Sequence, residues 1–254
     1  MDECHLFPKG LDGQLRTFIK DSGIKNILGY TATAFKLQSN VSITGIPFSQ
    51  LKMLTSRSKV GKLFNDIAHV TQIQELIDKN YWSKLVYETV PWDPTSLKVN
   101  STGADFTENS IQDNYERMFI RENIIEQLIS NPNRKKVIVF VHSIEEAILL
   151  ASKTPNSAAI YSGMKDEERT NIIKDFKEGN LRIIFNVSIL GTGFDSPNID
   201  MIVVARPMLS LALYYQFLGR GVRILDGKEN CLIVDMCGNL KRFGKIEELV
   251  FIKY

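Results

Sequence analysis

Two arginines and a glycine-rich acidic turn are the residues whose types and spacing could do chemistry. Arg220 and Arg223 stand three positions apart in QFLGRGVR, beside two glycines. Earlier in the chain, Gly191, Gly193 and Asp195 follow the apolar run LRIIFNV. Glycine lets the backbone approach phosphate closely, and a pair of arginines can neutralise the charge on a transferring phosphoryl group. These residues therefore predict one wall of a nucleoside-triphosphatase site.

The elements that must position these residues form a regular pattern from about residue 112 onward. Short apolar runs such as KKVIVFV (135–141) alternate with polar-faced stretches of helical spacing. Strands that alternate with helices of about 10–15 residues predict βαβ units, a parallel sheet and helices on both faces. Right-handed crossovers would place all the carboxyl ends of the strands on one edge, where ligands bind in such sheets.

Short segments that each contain a serine follow three of the predicted strands. They are His142–Ser143, Ser162–Gly163 and Val187–Ser188, and we expect them to meet at the carboxyl edge of the sheet. This clustering is the strongest argument from the residues alone for a binding site. Two alternatives stay open, because His142 could be a plain strand-end residue and Ser162–Gly163 an ordinary turn.

Other segments carry weaker signals. Residues 12–22 have the spacing of a short helix, and 24–30 (IKNILGY) predict a buried strand. The polar span 93–114 is typical of an insert or a mobile connection, and 113–130 predict a single helix. Ser143 followed by Glu146 fits a capping box at the start of the next helix.

Composition sets limits on the class of protein. The 254 residues are 44% hydrophobic and 24% charged, with a formal net charge of +2. This is ordinary for a globular protein, so any nucleic-acid binding must use local patches. Cys4, Cys231 and Cys237 form no CxxC pair, which favours a reducing compartment. With no apolar run of about 20 residues and no signal-peptide pattern, we expect a cytoplasmic protein without a membrane span.

The chain resembles the later motifs of superfamily 2 DEAD/DEAH-box helicases in six successive stretches: DECH (2–5), TAT (31–33), VIVFVHS (137–143), IYSG (160–163), TGFDSPNID (192–200) and QFLGRGVR (216–223). Within that group, GYTATAFKL and the tail CLIVDMCGNLKRFGKI look most like the RadD-type bacterial and phage DNA helicases. The resemblance implies a RecA-like fold, with a helicase C-terminal domain preceded by the tail of a first RecA-like domain.

The resemblance also implies roles for the residues nearest the amino terminus. Asp2 would hold Mg²⁺ through water, and Glu3 would polarise the water that attacks the γ-phosphate. Both positions carry carboxylates, as this chemistry requires. Thr31, Ala32 and Thr33 match the motif that couples hydrolysis to strand movement.

Further along, Gly193, Asp195 and Gln216 match positions that contact the nucleotide. Arg220 and Arg223 match arginine fingers, which contribute roughly 10³–10⁵ in rate in analogous phosphoryl-transfer systems. Read without the resemblance, an arginine pair with this spacing is usually a solvated helix face, and an acid before Ser-Pro is a turn residue.

Nucleic-acid contacts are the last roles that the resemblance implies. His142, Ser143, Ser162 and Gly163 match the positions that grip a nucleic-acid backbone, largely through main-chain and hydroxyl contacts to phosphate. Thr192 matches the nucleic-acid side of its motif.

One expected motif is missing from the 254 residues. They contain no GxxxxGK[ST] loop, which cradles the β- and γ-phosphates in helicases of this kind. We therefore expect residues 1–81 to be the C-terminal remnant of a first RecA-like domain and 82–254 to be a complete second one. ATP and Mg²⁺ are expected only together with an upstream RecA-like half, present in cis or in trans.

Two functions remain open. The leading one is the motor half of an ATP-dependent DNA helicase or translocase, inactive without the upstream half. The alternative is a non-catalytic nucleic-acid-binding or regulatory module. A neighbouring GxxxxGK[ST] would favour the first, and salt-sensitive DNA binding without an effect of ATP would favour the second.

Overall fold

The computed structural model describes residues 14–31, 35–41, 47–53, 64, 66–187, 196 and 198–250. Its central element is a six-stranded sheet in which every neighbouring pair of strands is parallel. This confirms the predicted fold class. A separate antiparallel hairpin consists of β1 (Phe35–Val41) and β2 (Pro47–Met53).

The six strands of the sheet are β3 (Lys84–Thr89), β4 (Val137–Phe140), β5 (Ser157–Ile160), β6 (Ile183–Asn186), β7 (Met201–Val204) and β8 (Asn230–Asp235). Their order across the sheet is β3-β8-β7-β4-β6-β5. The strand β4 therefore lies between β7 and β6, and β5 is the edge strand beyond β6.

The helices are α1 (Gln14–Asp21), α2 (Ile73–Asp78), α3 (Glu108–Arg117), α4 (Ile120–Ser130), α5 (Ile144–Lys153), α6 (Asp166–Glu178), α7 (Leu211–Leu218) and α8 (Asn239–Phe243), followed by a 3₁₀ turn at Ile246–Glu248. Among the described residues, each helix is too short or too polar to span a bilayer.

The sheet is buried on both faces because its central strands are apolar throughout. All four residues of β4 are buried, and they alternate between the two core clusters. On one face, Phe140 stacks on Phe217 of α7 with ring centroids 3.7 Å apart. Ile73 and Ile77 of α2 belong to this same cluster. The division of the chain at residue 82 stays a prediction.

The strand predicted for residues 24–30 is absent, and the structure has neither helix nor strand there. Ile24, Leu28 and Tyr30 are exposed. An apolar run predicts a buried strand only if a sheet covers it, and these side chains are not covered.

The helix predicted for residues 113–130 is two helices, α3 and α4. They are separated by Phe119, which has a left-handed backbone (φ 51°, ψ 44°). The Asn123 side chain steadies the junction by donating from Nδ2 to the carbonyl oxygen of Met118 at 3.1 Å. The buried residues keep a helical spacing within each helix, whereas the five-residue step from Tyr115 to Ile120 interrupts it at the break.

The polar span 93–114 has a defined structure held by hydrogen bonds, in contrast to the predicted insert or mobile connection. Its first part, which we call the 93–107 loop, is closed by backbone bonds from Asn100 to Asp105 and from Thr107 to Lys98, both 2.8 Å. The second part begins α3. Polar composition predicted the loop correctly, but the buried side chain of Phe106 fixes it to the core.

Candidate functional site

Three of the predicted strand-end segments lie side by side at the carboxyl edge of the sheet. His142–Ser143 follows β4, Val187 follows β6 and Ser162–Gly163 follows β5. Since β4, β6 and β5 are consecutive neighbours, the structure brings these segments together. Ser188 lies outside the described residues. These described segments therefore lie where the sequence predicted them, while the roles of their residues stay predictions.

His142 is enclosed by α3. Its Nε2 lies 3.0 Å from Oε1 of Gln112, and its ring packs at 4.2 Å, centroid to centroid, against the ring of Tyr115. Burial, followed by the positive charges of Arg206 and Arg121, lowers the pKa of His142 to about 4. The imidazole is therefore neutral at pH 7 and cannot attract phosphate by its charge.

Ser143 caps α5 in one half of the predicted capping box. Its Oγ accepts a hydrogen bond from the N–H of Glu146 at 3.2 Å. The Glu146 carboxylate does not complete the box, because both of its oxygens accept from Nε of Arg121 at 2.8 Å. A carboxylate that is 3% exposed needs a charged partner, and Arg121 on α4 supplies it. This pair fastens α4 to the first turn of α5.

Ser162 and Gly163 form an exposed turn at the end of β5. Gly163 has a φ of 89°, which L side chains rarely adopt, and a Cβ added there would meet nothing within 4 Å. The backbone conformation is therefore enough to explain a glycine at this position, which agrees with the alternative that Ser162–Gly163 is an ordinary turn. The open space in front of it also leaves room for a ligand.

The arginine segment follows α7, which starts at an N-cap where Oγ of Ser210 accepts from the N–H of Leu213 at 3.2 Å. Gln216 is half-buried on this helix. After the helix ends, Arg220 is half-buried and Arg223 is exposed. We call residues 219–223 the arginine turn.

Gly221 sets the position of the arginine turn by close packing. A Cβ at this glycine would lie 2.5 Å from Sγ of Cys231 and 3.1 Å from Cδ1 of Ile202. Any larger residue would push the turn away from β7 and β8. Lys228 adds a second anchor, because its Nζ donates to the carbonyl oxygens of Gly221 and Arg223 at 2.7 Å each.

The arginine turn and the carboxyl edge lie at opposite ends of the sheet. Cys231 is the second residue of β8, and the N–H of Ser83, just before β3, donates to the carbonyl oxygen of Val222 at 2.6 Å. The turn is therefore at the amino ends of β3 and β8. A six-residue strand separates its two ends by roughly 17 Å. The structure does not bring Arg220 and Arg223 together with His142.

Several predicted residues lie outside the part of the chain that the structure describes: Asp2, Glu3, Ala32, Thr33, Thr192, Gly193 and Asp195. Thr31 is half-buried in the stretch before β1, outside any helix or strand. Within the described residues, no group of three or more His, Cys, Asp or Glu side chains is arranged to hold a metal ion. The predicted Mg²⁺ ligand, Asp2, is not among these residues.

Sequence reasoning missed three residues at the carboxyl edge. Arg206 lies two positions after the end of β7, as His142 lies two positions after the end of β4. The same expectation for residues that follow predicted strands could therefore have identified it. Gln112 and Tyr115 reach His142 from α3, about 30 residues away in sequence. No local pattern marks such a contact.

Comparison with known proteins identifies similar sequences and folds. Residues 120–225 match the helicase conserved C-terminal domain. The chain is 27% identical over 209 residues to a protein of Saccharomyces cerevisiae named "Putative ATP-dependent helicase IRC3", a match that covers 79% of this chain and 30% of that protein. The chain spans about a third of the length of the curated relatives it matches.

Two solved structures share the fold. The fragment structure of a putative HsdR subunit of a type I restriction enzyme from Vibrio vulnificus YJ016 has a TM-score of 0.59 at 19% identity, covering 73% of this chain and 38% of that one. The ATP-dependent Type ISP restriction-modification enzyme LlaBIII bound to DNA has a TM-score of 0.55 at 14% identity, covering 93% and 18%.

Proposed function

We propose that this chain is the motor half of an ATP-dependent DNA helicase or translocase of superfamily 2. The match of residues 120–225 to the helicase conserved C-terminal domain and the all-parallel six-stranded sheet support this proposal. Helicases of this family use ATP. The finer proposal concerns which residues of this chain serve the nucleotide, which serve the nucleic acid, and which nucleic acid is bound.

The arginine turn serves the nucleotide in this proposal. Arg220 and Arg223 act as arginine fingers, and Gln216, Gly193 and Asp195 line the same ligand. The observation that supports it best is the packing of Gly221 against Cys231 and Ile202, which holds the turn rigidly with Arg223 exposed. An exposed guanidinium on a fixed backbone turn fits the charge of a triphosphate, since the backbone that carries it needs little reorganisation as charge develops.

The carboxyl edge serves the nucleic acid. Ser143, Ser162 and Gly163 contact the phosphates through main-chain N–H groups and hydroxyls, and Thr192, which lies outside the described residues, contacts the same nucleic acid. His142 is neutral at pH 7, so it contributes hydrogen bonding or shape rather than charge. Contacts of this kind position a backbone without reading its sequence.

DNA is the nucleic acid that we propose. The sequence motifs resemble those of RadD-type DNA helicases, and LlaBIII, which shares the fold, is described as bound to DNA. The proposed partner in hydrolysis is an upstream RecA-like half with a phosphate-binding loop, which the 254 residues do not include. Asp2 would hold Mg²⁺ through water beside that loop, and Glu3 would orient the attacking water.

Reconstitution tests this function. The 254-residue chain is mixed with, or joined to, the RecA-like domain that carries GxxxxGK[ST] in the same genome. ATP hydrolysis is then measured with single-stranded DNA, duplex DNA and RNA. We expect DNA-stimulated hydrolysis, with about 10³-fold or greater loss of kcat in Arg220→Ala and Arg223→Ala.

The matched control is Arg169→Ala on α6, an arginine whose ion-pair partner is Asp166 on the same helix. Its kcat should stay close to that of the wild type. Salt-sensitive DNA binding without any effect of ATP, even in the reconstituted protein, would instead support a non-catalytic nucleic-acid-binding or regulatory module.

A further inference from the structure

Arg206 occupies the carboxyl edge beside His142. The strands β7 and β4 are paired with Val204 opposite Phe140. Two residues further along each chain, Arg206 therefore stands at the level of His142. The positive charge of Arg206 contributes to the low pKa of His142, as expected for close neighbours.

The 93–107 loop holds this arginine. Nη2 of Arg206 lies 2.6 Å from Oδ2 of Asp105, with the side chains 18% and 29% exposed. The backbone of Arg206 is also fixed, because its carbonyl oxygen accepts from Nδ2 of Asn239 at 3.0 Å. Asp105 in turn accepts the N–H of Asn100 at its carbonyl oxygen, which ties the ion pair to the turn of the loop.

A carboxylate and a phosphate make the same demand on a guanidinium, since both offer paired anionic oxygens to its planar N–H groups. We propose that Arg206 is a phosphate-binding residue of the nucleic-acid edge, and that a backbone phosphate displaces Asp105 from it when nucleic acid binds. This inference rests on the proposed function of the carboxyl edge. To that proposal it adds a cation, Arg206, and a carboxylate that competes for it, Asp105.

The charge of the chain indicates the need for such a cation. The formal net charge of the chain is only +2, and His142 is neutral at pH 7. Hydroxyls and backbone N–H groups bind phosphate but release no counterions, whereas each phosphate neutralised by an arginine adds to affinity and to its salt dependence. Arg206 supplies that charge at the strand ends.

Three variants of the full chain test the competition: Arg206→Gln, Asp105→Asn and Asp93→Asn. Binding of a fluorescein-labelled oligothymidylate is followed by fluorescence anisotropy over a series of salt concentrations. Arg206→Gln should weaken binding about tenfold and reduce the slope of log K against log salt by about one. Asp105→Asn should tighten binding by about threefold to tenfold, because the carboxylate of Asp105 then no longer competes with phosphate for the arginine.

Asp93→Asn is the matched control. Asp93 lies in the same loop, pairs with Arg117 at 2.6 Å, and its replacement changes the net charge by the same amount. Its affinity should stay within about twofold of the wild type. The double variant Asp105→Asn with Arg206→Gln should bind as weakly as Arg206→Gln alone, since the gain needs the arginine.

The outcomes separate this inference from the proposed function. A wild-type chain that does not bind the oligonucleotide overturns both. Binding by the wild type, with Asp105→Asn no tighter or with Asp93→Asn equally tightened, overturns the inference and leaves the proposed function standing. Thermal melting checks folding, and if Arg206→Gln does not fold, the comparison of Asp105→Asn with Asp93→Asn still decides.

Discussion

At the scale of single residues, His142 shows how far a motif position can differ from its chemical state. The sequence places a histidine at a strand end, where a cation could meet phosphate. The structure instead packs the ring against Tyr115 beneath α3 and places Arg206 beside it. Burial and neighbouring positive charge both favour the neutral imidazole.

This state predicts a pH dependence of stability. The pKa of His142 falls from its ordinary 6.5 to about 4 in the folded chain. Below pH 6.5 the unfolded ring takes up a proton while the folded ring stays neutral until about pH 4, so acid favours unfolding across this window. The contribution is present in full above pH 6.5, and its loss by pH 4 amounts to at most about 3 kcal/mol.

Urea unfolding at pH 7, 5 and 4 measures this loss in the wild type and in His142→Gln, which cannot titrate. The free energy of unfolding should fall less steeply toward acid in the variant, by about 3 kcal/mol or less over the whole window. Parallel curves for the two proteins would mean that the folded histidine titrates normally.

The residue scale also shows what the sequence could and could not predict. The N-cap at Ser143 was predictable, because Ser and Glu three positions apart are a local pattern. The pairing of Glu146 with Arg121 was not, since it joins residues 25 positions apart. Likewise, the glycines beside Arg220 suggested a tight approach to phosphate, whereas Gly221 approaches Cys231 of the chain's own core.

At the scale of elements, the strands of the parallel sheet were predictable, whereas the hairpin of β1 and β2 and the junction between α3 and α4 were not. Apolar runs predicted the buried strands well, because burial on both faces leaves a continuous signal. The apolar residues that predict a helix over residues 113–130 begin at Ile120, and the five-residue step from Tyr115 to Ile120 does not continue their helical spacing. The left-handed backbone of a single residue, Phe119, separates the two helices, and the sequence pattern does not encode that conformation.

Phe119→Gly should therefore stabilise the protein. A left-handed backbone costs an L side chain about 1 kcal/mol and costs glycine nothing sterically. The phenyl ring is 65% exposed, so its removal loses little burial. We expect a gain of about 1 kcal/mol, measured by urea unfolding or as a rise in Tm.

The control introduces glycine at a position with ordinary helical backbone. Glu126 is exposed near the middle of α4, and Glu126→Gly should destabilise the protein by about 1 kcal/mol. If both variants destabilise by similar amounts, the left-handed conformation at Phe119 is not the source of strain.

At the scale of the whole molecule, the parallel sheet separates two candidate sites whose residues alternate along the chain. The arginine turn lies at the amino ends of β3 and β8, and the strand-end segments lie at the opposite edge. Sequence order runs back and forth between these ends, because every βα unit leaves from one edge and returns to the other. The arginine turn is therefore distant in space from the strand-end segments that precede it in sequence, which spacing alone could not reveal.

This separation predicts that the two proposed activities, ATP hydrolysis and DNA binding, respond to different substitutions. Ser162→Asp places a negative charge at the exposed turn after β5, and it should weaken DNA binding by about fivefold to tenfold. Arg223→Ala should abolish most ATP hydrolysis in the reconstituted protein and change DNA affinity by less than about twofold. DNA affinity is measured by anisotropy, and hydrolysis at saturating DNA.

Ser152→Asp on α5 is the matched control for charge, because this exposed serine also gains one negative charge. Its DNA affinity should stay within about twofold of the wild type. A tenfold weaker affinity in Arg223→Ala would place DNA at the amino ends of the strands, and hydrolysis lost in Ser162→Asp at saturating DNA would place nucleotide at the carboxyl edge. Either result would contradict the division of the sheet into two ends with separate ligands.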